Sequence, residues 1–395
     1  MWIERALARE LRSLARTFPI LVLTGPRQVG KTALLDRTFP DFNYVSLDDA
    51  QNAEAAESRP GEFLSNHQTP LILDEIQYAP ALLRHLKVYV DKRRDQRGLF
   101  LLTGSQSFPL MQAVSESLAG RAEVVPMLSL SATEWAECNE LKSRFSFPEL
   151  LWRGGYPGLW SDPDALPSRD RWYQGYMATY LERDVRNMLN VSSLRDFERF
   201  LRACAIRNGQ LLNMSEMGRD VGISPSAARQ WLGVLHASGQ VALLEPYHRN
   251  LGKRLVKTPK LYFTDTGLAS WLCGFQSAQA LAGSAQAGAF WENHVICQWL
   301  RWRDWHLPST GLWFWRDRVN NEVDLVIERD AKLHPVECKR TERPNLSDLK
   351  GIRAFKEFYG ESATGSAWIA CQTNSTFDVA AGVTAISGWK TWSLE

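Results

Sequence analysis

The sequence predicts an α/β protein that begins with a parallel sheet covered by helices on both faces. Three observations support this prediction. Strand-like and helix-like segments alternate over the first 135 residues, as expected when crossover helices join parallel strands. A glycine-rich loop follows the first strand-like segment, at the edge where such sheets bind ligands. A later apolar segment ends in two carboxylates, Asp74 and Glu75.

The elements of this region follow in order along the chain. Apolar runs predict the strands, and longer mixed stretches predict the helices between them. Before the first strand, an amphipathic helix carries arginines on one face, which we interpret as solvated, with phosphate contact as the alternative. These arginines are Arg5, Arg9, Arg12 and Arg16. The predicted strands are 19–24, 42–47, 70–74, 99–103 and 121–127, and the helices are 32–38, 62–67, 80–94 and 109–117.

The glycine-rich loop has the pattern of a phosphate-binding loop. Its residues match G-x-x-x-x-G-K-[ST] at every fixed position, and they lie between a strand and a helix, as the motif requires. Backbone N–H groups of such a loop surround the phosphates, Lys31 reaches the β- and γ-phosphates, and Thr32 holds Mg²⁺. The loop therefore predicts ATP and Mg²⁺ as ligands. It reads Gly25-Pro26-Arg27-Gln28-Val29-Gly30-Lys31-Thr32.

Two further strand ends complete the predicted nucleotide site. Asp74 is expected to hold Mg²⁺ through water, and Glu75 is expected to polarise the attacking water. The next strand ends in hydroxyls, so Thr103 or Ser105 could lie beside the γ-phosphate as a polar sensor. A turn after a core strand explains either hydroxyl equally well.

Composition limits the compartment and the partners. The net charge is only +2, so any nucleic-acid surface must be local. Six cysteines lie far apart without a C-x-x-C pair, which argues against zinc and favours reduced thiols in the cytoplasm. No apolar run approaches the length that crosses a membrane.

The middle of the chain predicts a helical segment and then a winged helix. Residues 136–205 lose the strand pattern and contain a long helix at 169–190. Two short helices joined by a glycine turn follow at 215–224 and 225–238, with strands at 240–245 and 260–264. The segment between these strands is basic, and we expect it to contact DNA phosphates as a wing. A packing or oligomerisation module is the alternative. The DNA-contacting candidates are Arg229, Arg249, Lys253, Arg254 and Lys257.

The C-terminal segment carries carboxylates in an order that predicts a metal site. Glu292 lies on a helix starting near residue 288, Asp324 on a strand at 322–328, and Glu337 on the next strand, at 332–338. Asp324 and Glu337 on adjacent strands could share one Mg²⁺, with carboxylates roughly 4–5 Å apart. Glu292 could approach the same ion, and Lys339 could orient water or stabilise a charged transition state. Surface charges on an amphipathic sheet are the alternative.

The whole chain resembles a bacterial and archaeal family of P-loop ATPases. The resemblance rests on the phosphate loop and on Leu73–Gln77, Leu102–Ser105, Leu118–Arg121, Tyr180–Asp184, Lys257–Phe263, Asp265–Leu268, Glu322–Asp324 and Glu337–Lys339. It implies an AAA-type ATPase domain at 1–135, a helical linker at 136–205, a winged helix at 206–265 and a PD-(D/E)XK nuclease-like domain at 266–395.

The resemblance also implies roles and partners. Arg121 would sense or stabilise the γ-phosphate, in cis or from a neighbouring subunit of a homo-oligomer, with a structural ion pair as the alternative. Nucleotide state would be coupled to a DNA-binding, nuclease-like half. The rival interpretations are a regulatory switch or a protein-interaction scaffold whose nuclease fold is catalytically inactive.

Overall fold

The structure is a computed structural model that describes residues 1–105, 114, 116–162, 164–165, 168–181, 185, 194–248, 258–306 and 309–391. Within these ranges the chain forms one parallel sheet, one larger mixed sheet and one two-stranded sheet. No helix of this described part is long and apolar enough to cross a membrane.

The N-terminal sheet has five parallel strands in the order β2-β3-β4-β1-β5. The strands lie where the sequence predicts them, which confirms the parallel α/β sheet. They are β1 (Ile20–Gly25), β2 (Asn43–Ser46), β3 (Leu71–Asp74), β4 (Phe100–Ser105) and β5 (Ala122–Pro126). The accompanying helices are α1 (Leu7–Ala15), α2 (Lys31–Thr38), α3 (Ala50–Ser58), α4 (Pro60–Asn66) and α5 (Leu82–Asp91).

Alternate side chains of the central strand explain why helices cover both faces. Leu21 and Leu23 pack into a core shared with α1 and α2, whereas Ile20 and Val22 pack into a second core shared with α3, α4 and α5. Successive strand residues point to opposite faces, so one apolar strand supports both layers.

Two details of this region differ from the sequence prediction. The helix α3 was not predicted, because its sequence is rich in alanine and polar residues and buries only Ala56. Arg5 is not on a solvated face, since it precedes α1 and is only 4% exposed. Most of the predicted helix at 109–117 lies outside the described residues.

The segment that follows β5 is helical, as predicted. Its described helices pack around a cluster of buried aromatic rings that includes Tyr156, Tyr173 and Tyr176. The predicted helix at 169–190 is described only to Tyr180 as an α-helix. The helices are α6 (Ala132–Glu137), α7 (Asn139–Arg144), α8 (Phe147–Arg153), α9 (Arg169–Tyr180) and α10 (Leu194–Ile206).

Next come the predicted pair of short helices and a strand pair. Helix α11 (Met214–Val221) ends at Gly222, whose φ of 86° is left-handed. Helix α12 (Pro225–Ala237) begins after Ser224, whose hydroxyl accepts the Ala227 N–H. Strands β6 (Val241–Leu244) and β7 (Lys260–Phe263) then pair antiparallel. The predicted wing residues Arg249, Lys253, Arg254 and Lys257 lie outside the described residues.

The C-terminal part is a six-stranded mixed sheet in the order β12-β13-β11-β10-β9-β8, packed against helices. The pairing of β9 with β10 is antiparallel, as predicted for the strands that carry Asp324 and Glu337. The strands are β8 (Gly311–Arg316), β9 (Glu322–Arg329), β10 (Lys332–Cys338), β11 (Ala367–Cys371), β12 (Phe377–Ala380) and β13 (Val383–Ser387). The helices are α13 (Thr266–Leu272), α14 (Ala278–Ala282), α15 (Ala287–His306) and α16 (Lys350–Tyr359).

Candidate functional site

The phosphate loop connects β1 to the N-terminus of α2. Gly25 has φ 148°, and a Cβ there would lie 1.9 Å from the backbone oxygen of Met127, so only glycine fits. Gly30 has φ 93° and caps α2. The Lys31 ammonium donates to the backbone oxygens of Gly25 and Pro26, both at 3.0 Å. The Lys31 ammonium therefore binds backbone oxygens of its own loop, at the position where the sequence predicts that it contacts phosphate.

Asp74 at the end of β3 accepts hydrogen bonds from three hydroxyl groups. Thr32 Oγ1 donates to its Oδ1 at 3.0 Å, Tyr44 Oη donates to its Oδ2 at 2.9 Å, and Thr103 Oγ1 also donates to Oδ1. Asp74 is only 6% exposed. The adjacent hydroxyl and carboxylate oxygens of Thr32 and Asp74 are hard ligands of the kind that Mg²⁺ prefers, so these residues fit the predicted ion.

Tyr44 belongs to this site but was not predicted. It lies on β2 beside β3, and partial burial together with the Asp74 carboxylate raises its pKa to about 12. The residue remains 46% exposed. A tyrosine on an edge strand has no local signal that distinguishes it from a packing residue, so sequence reasoning could not select it.

Thr103 holds both acidic residues in place. Its hydroxyl donates to Asp74 and accepts the backbone N–H of Glu75 at 3.1 Å, and it is fully buried. Glu75 has a left-handed backbone, with φ 59°, and its carboxylate accepts from the Gln77 amide. Thr103 thus positions the two acids, rather than pointing freely toward a γ-phosphate. The side chain of Ser105 lies outside the described residues.

Arg121 and the phosphate loop lie at opposite ends of the parallel strands. It precedes Ala122, which is level with Ile20 at the start of β1, whereas the loop follows the end of that strand. Five residues of strand separate the two levels, or about 16 Å. The guanidinium makes two contacts with Asp91, at 2.7 and 3.1 Å. A γ-phosphate contact in cis is therefore wrong, and an ion pair or action on a neighbouring subunit remains.

Arg5 links the phosphate loop to the end of the sheet. Its guanidinium donates to the backbone oxygens of Val29 and Leu128, both at 2.8 Å, and pairs with Glu134 at 3.0 Å. Both side chains of the pair are buried. The sequence signal for this burial is the alternation of residues before the helix. The chain is not helical before Leu7, so every second side chain points to the same side, and Ile3, Arg5 and Leu7 are all buried.

Asp265 forms a second buried junction, after that of Arg5, and it connects the end of the N-terminal sheet with the helical segment. Its carboxylate accepts from the Ser129 hydroxyl at 2.7 Å, from the Gly155 N–H at 2.8 Å and from the Tyr173 hydroxyl at 3.1 Å. Arg301 on α15 donates to Ser129 Oγ at 3.2 Å. The end of the N-terminal sheet, the helical segment and the C-terminal part therefore share one buried hydrogen-bond network.

A second cluster lies in the C-terminal part, and we call it the carboxylate centre. It contains the four predicted residues, and it also contains Lys260 and Glu322, which sequence reasoning missed. Lys260 Nζ lies 2.8 Å from Glu292, 2.5 Å from Glu322 and 3.9 Å from Asp324. Asp324 accepts the Cys338 backbone N–H at 2.8 Å. The centre comprises Glu292, Glu322, Asp324, Glu337, Lys260 and Lys339.

Glu292, Asp324 and Glu337 are largely buried, with side-chain exposures of 15%, 14% and 10%. Burial raises the pKa of Glu292 to about 7, and burial also raises the pKa values of Asp324 and Glu337. Burial opposes the charge of Lys260, but attraction to Glu292, Asp324 and Glu322 prevails and raises its pKa. The lysine is therefore protonated, and it supplies the positive charge at the centre of the cluster.

The predicted metal ion does not fit this arrangement. Lys339 Nζ pairs with Glu337 Oε1 at 3.0 Å, while Lys260 holds Glu292 and approaches Asp324. Among the described residues, no group of three or more His, Cys, Asp or Glu side chains could hold a metal ion. The structure thus gathers the predicted residues around a lysine rather than in a geometry that leaves a place for Mg²⁺.

The predicted DNA-contacting residues are described only in part. Arg229 lies on α12 and is exposed, as is its neighbour Gln230. Both are therefore accessible to a ligand.

Comparison with known proteins gives matches along most of the chain. An AAA domain profile matches residues 17–136, a domain of unknown function (DUF8612) matches 144–279, and another (DUF4143) matches 287–390. The uncharacterized protein Rv2008c of Mycobacterium tuberculosis is 34% identical over 357 residues, covering 88% of this chain and 76% of that protein. The uncharacterized protein Mb2031c of Mycobacterium bovis matches with the same values.

Two solved structures are among those similar to this chain. The Walker-type ATPase PABY2304 of Pyrococcus abyssi is 16% identical and has a TM-score of 0.44, over 69% of this chain and 96% of that chain. A signal transduction ATPase with numerous domains from Pyrococcus horikoshii is 12% identical with a TM-score of 0.26, over 76% and 45%. These scores are too low to support a functional argument. The mycobacterial matches and the AAA profile decide the relationship: the chain belongs to the family of these two mycobacterial proteins, and its N-terminal part is an AAA-type P-loop ATPase domain.

Proposed function

We propose that the chain hydrolyses ATP with Mg²⁺ at its phosphate loop. The observation that carries this proposal is the hydrogen bond from Thr32 Oγ1 to Asp74 at 3.0 Å. It brings the end of the loop and the end of β3 together on the oxygen ligands that a nucleotide-bound Mg²⁺ requires.

Each residue of the site has a distinct role in this proposal. Thr32 and Asp74 would hold Mg²⁺, which supplies charge neutralisation at the phosphates. Lys31 exchanges the backbone oxygens of the loop for phosphate oxygens, because an anionic partner binds an ammonium more strongly than neutral carbonyls do. Glu75 orients and polarises the attacking water. Thr103 holds the two acids at the spacing that these roles need.

The test is a comparison of nucleotide binding and hydrolysis in single variants. Lys31→Ala should lose nucleotide affinity, whereas Glu75→Gln should bind nucleotide and hydrolyse it slowly, since an amide polarises water poorly. Lys142→Ala is the matched control, because this lysine is exposed on α7. Unchanged nucleotide affinity in Lys31→Ala would refute the assignment of the loop.

We propose further that nucleotide state reaches the C-terminal half through the buried junctions. Arg5 contacts the backbone oxygen of Val29 in the loop, and Arg301 contacts Ser129 at the end of the sheet. Arg301 and Glu292 both lie on α15, nine residues and about 13 Å apart. A shift of α15 would therefore move Glu292 relative to the other residues of the carboxylate centre.

DNA is the second proposed partner, and the exposed Arg229 on α12 is the described residue that favours it. Neutralising two of Arg249, Lys253, Arg254 and Lys257 should weaken binding equally on all sequences and reduce the salt slope by about one for each lost phosphate contact. The measurement is DNA affinity against salt, with and without a non-hydrolysable ATP analogue. An absence of DNA affinity at low salt in both conditions would favour the alternative of a protein-interaction module.

For the C-terminal part, the ion pairs of Lys260 support the alternative in which the nuclease-like fold is a binding platform. We therefore expect no cleavage of plasmid DNA in Mg²⁺ or Mn²⁺, with or without ATP. The comparison is with Asp324→Ala, which would share any contaminating nuclease. Nicking by the wild type that is lost in Asp324→Ala would instead establish the metal-dependent nuclease with Glu292, Asp324, Glu337 and Lys339 as its residues.

A further inference from the structure

Lys260 is the central cation of the carboxylate centre. It lies on β7 and is only 3% exposed, although lysine is seldom buried without a strong reason. Its ammonium contacts Glu292 from α15 and both Glu322 and Asp324 from β9. Three carboxylates from two separate elements therefore converge on one positive charge.

A neighbouring tyrosine strengthens this arrangement. Tyr262 lies two residues after Lys260, on the same face of β7, and its hydroxyl donates to Glu292 Oε1 at 2.5 Å. Glu292 thus receives a charged and a neutral donor from one strand, and the cation is fixed by the fold. By contrast, Glu337 Oε2 is buried and has no hydrogen-bond partner among the described residues.

The charges of the centre nearly balance without a metal. Its four carboxylates face three cationic side chains: Lys260, Lys339 and also Arg316, which lies 3.5 Å from Glu322. Mg²⁺ or Mn²⁺ needs several anionic oxygens that are free of other cations. Each of the four acids already has at least one oxygen within 4 Å of a cationic nitrogen, and Glu322 has both.

We propose that the Lys260 ammonium is the resident cation of the carboxylate centre, and that it occupies the place where a nuclease-like centre would take a divalent ion. The lysine then keeps the carboxylates together without a metal ion. Replacing the lysine by an uncharged residue should therefore create a metal site. This inference concerns the same acids as the nuclease alternative and is independent of the ATPase proposal.

Mn²⁺ binding, measured by calorimetry in the Asp74→Asn background to remove the carboxylate that would hold an ion at the nucleotide site, tests this inference. Lys260→Met should bind Mn²⁺ at least roughly a hundredfold more tightly than the wild-type centre, because a unit charge about 4 Å from the ion is removed. Lys260→Met/Asp324→Asn should lose that binding. Lys339→Met is the matched control: it removes the lysine that pairs with Glu337 and leaves Lys260 in place.

Stability supplies a second measurement if Lys260→Met folds poorly. Its unfolding temperature should rise with Mn²⁺, whereas that of the wild-type centre should not. Lys260→Met/Glu322→Gln removes one acid together with the lysine and should fold and still bind Mn²⁺. Equal Mn²⁺ affinity in wild type and Lys260→Met, or no binding in any lysine variant, overturns the inference.

DNA cleavage separates this inference from the nuclease alternative. Metal binding by Lys260→Met without nicking supports the resident cation and refutes a cleavage function. Metal-dependent nicking by the wild type overturns the resident cation while it supports the nuclease.

Discussion

Replacement of Arg5 by methionine should destabilise the protein by about 3–5 kcal/mol, because it removes the cation from a buried ion pair and leaves its partner charged. Arg5 and Glu134 have side-chain exposures of 2% and 0%. Methionine keeps much of the apolar stem, so the loss is one of charge and hydrogen bonding rather than of volume.

The contacts of Arg5 set the size of this effect. The guanidinium makes three hydrogen bonds, to Glu134, Val29 and Leu128. Hydrogen bonds to charged groups contribute about 1.5–3 kcal/mol each, so a simple sum would exceed the expected value. The loss is smaller because Glu134 keeps the backbone N–H groups of Ala6 and Ser131 as donors.

The assay is urea unfolding together with nucleotide affinity. Arg9→Met is the matched control, because Arg9 is an exposed arginine on α1, four residues after Arg5, and its replacement should change stability by no more than about 0.5 kcal/mol. Arg5→Met should also weaken ATP binding, since the Val29 backbone oxygen in the loop loses its partner. Equal stability of the two variants would refute the reasoning.

Three other predictions test separate parts of the structure. Thr103→Val should cost about 1–3 kcal/mol of stability and slow ATP hydrolysis, because both acidic residues lose their hydroxyl partner; unchanged hydrolysis would contradict the positioning role. Gly25→Ala should abolish nucleotide binding and destabilise more than Gly222→Ala, which shares a positive φ but meets nothing within 4 Å; equal unfolding midpoints would show that the close approach is not limiting. Burial lowers the pKa of His294 from 6.5 to about 4, so the unfolded chain binds more protons between these values. Stability should fall by about 3 kcal/mol as pH decreases through this range, and His294→Gln should flatten the curve of unfolding free energy against pH.

Local patterns account for what was predicted correctly. The central strands β1, β3 and β4 are short apolar runs that are buried on both faces, and they stand out in the sequence without knowledge of their neighbours. The phosphate loop is equally local, since its glycines, lysine and threonine are consecutive. In the C-terminal part, the strands that carry Asp324 and Glu337 lie where alternation places them.

The contacts that the sequence does not reveal share a different cause. The resemblance implies that Arg121 contacts the γ-phosphate in cis or in trans, with an ion pair as the alternative, and the direction of the parallel sheet places the start of β5 far from the loop of the same chain. Thr103 or Ser105 is predicted as a polar sensor, with a turn after a core strand as the equal alternative, and the Thr103 hydroxyl contacts Asp74 at the end of the neighbouring strand. In both cases the partner is close in space and distant in sequence.

The sequence by itself therefore determined the α/β class, the nucleotide loop and the residues available at each candidate site, because these depend on residue type and short spacing. Only the tertiary structure decided which charges face each other. Lys260 and Asp324 are 64 positions apart, and no local rule relates them. The antiparallel pairing of β9 with β10, and the packing of α15 against β7, bring the acids to the lysine. The cation at the carboxylate centre is thus a property of the fold, since its position depends on contacts between elements rather than on any segment alone.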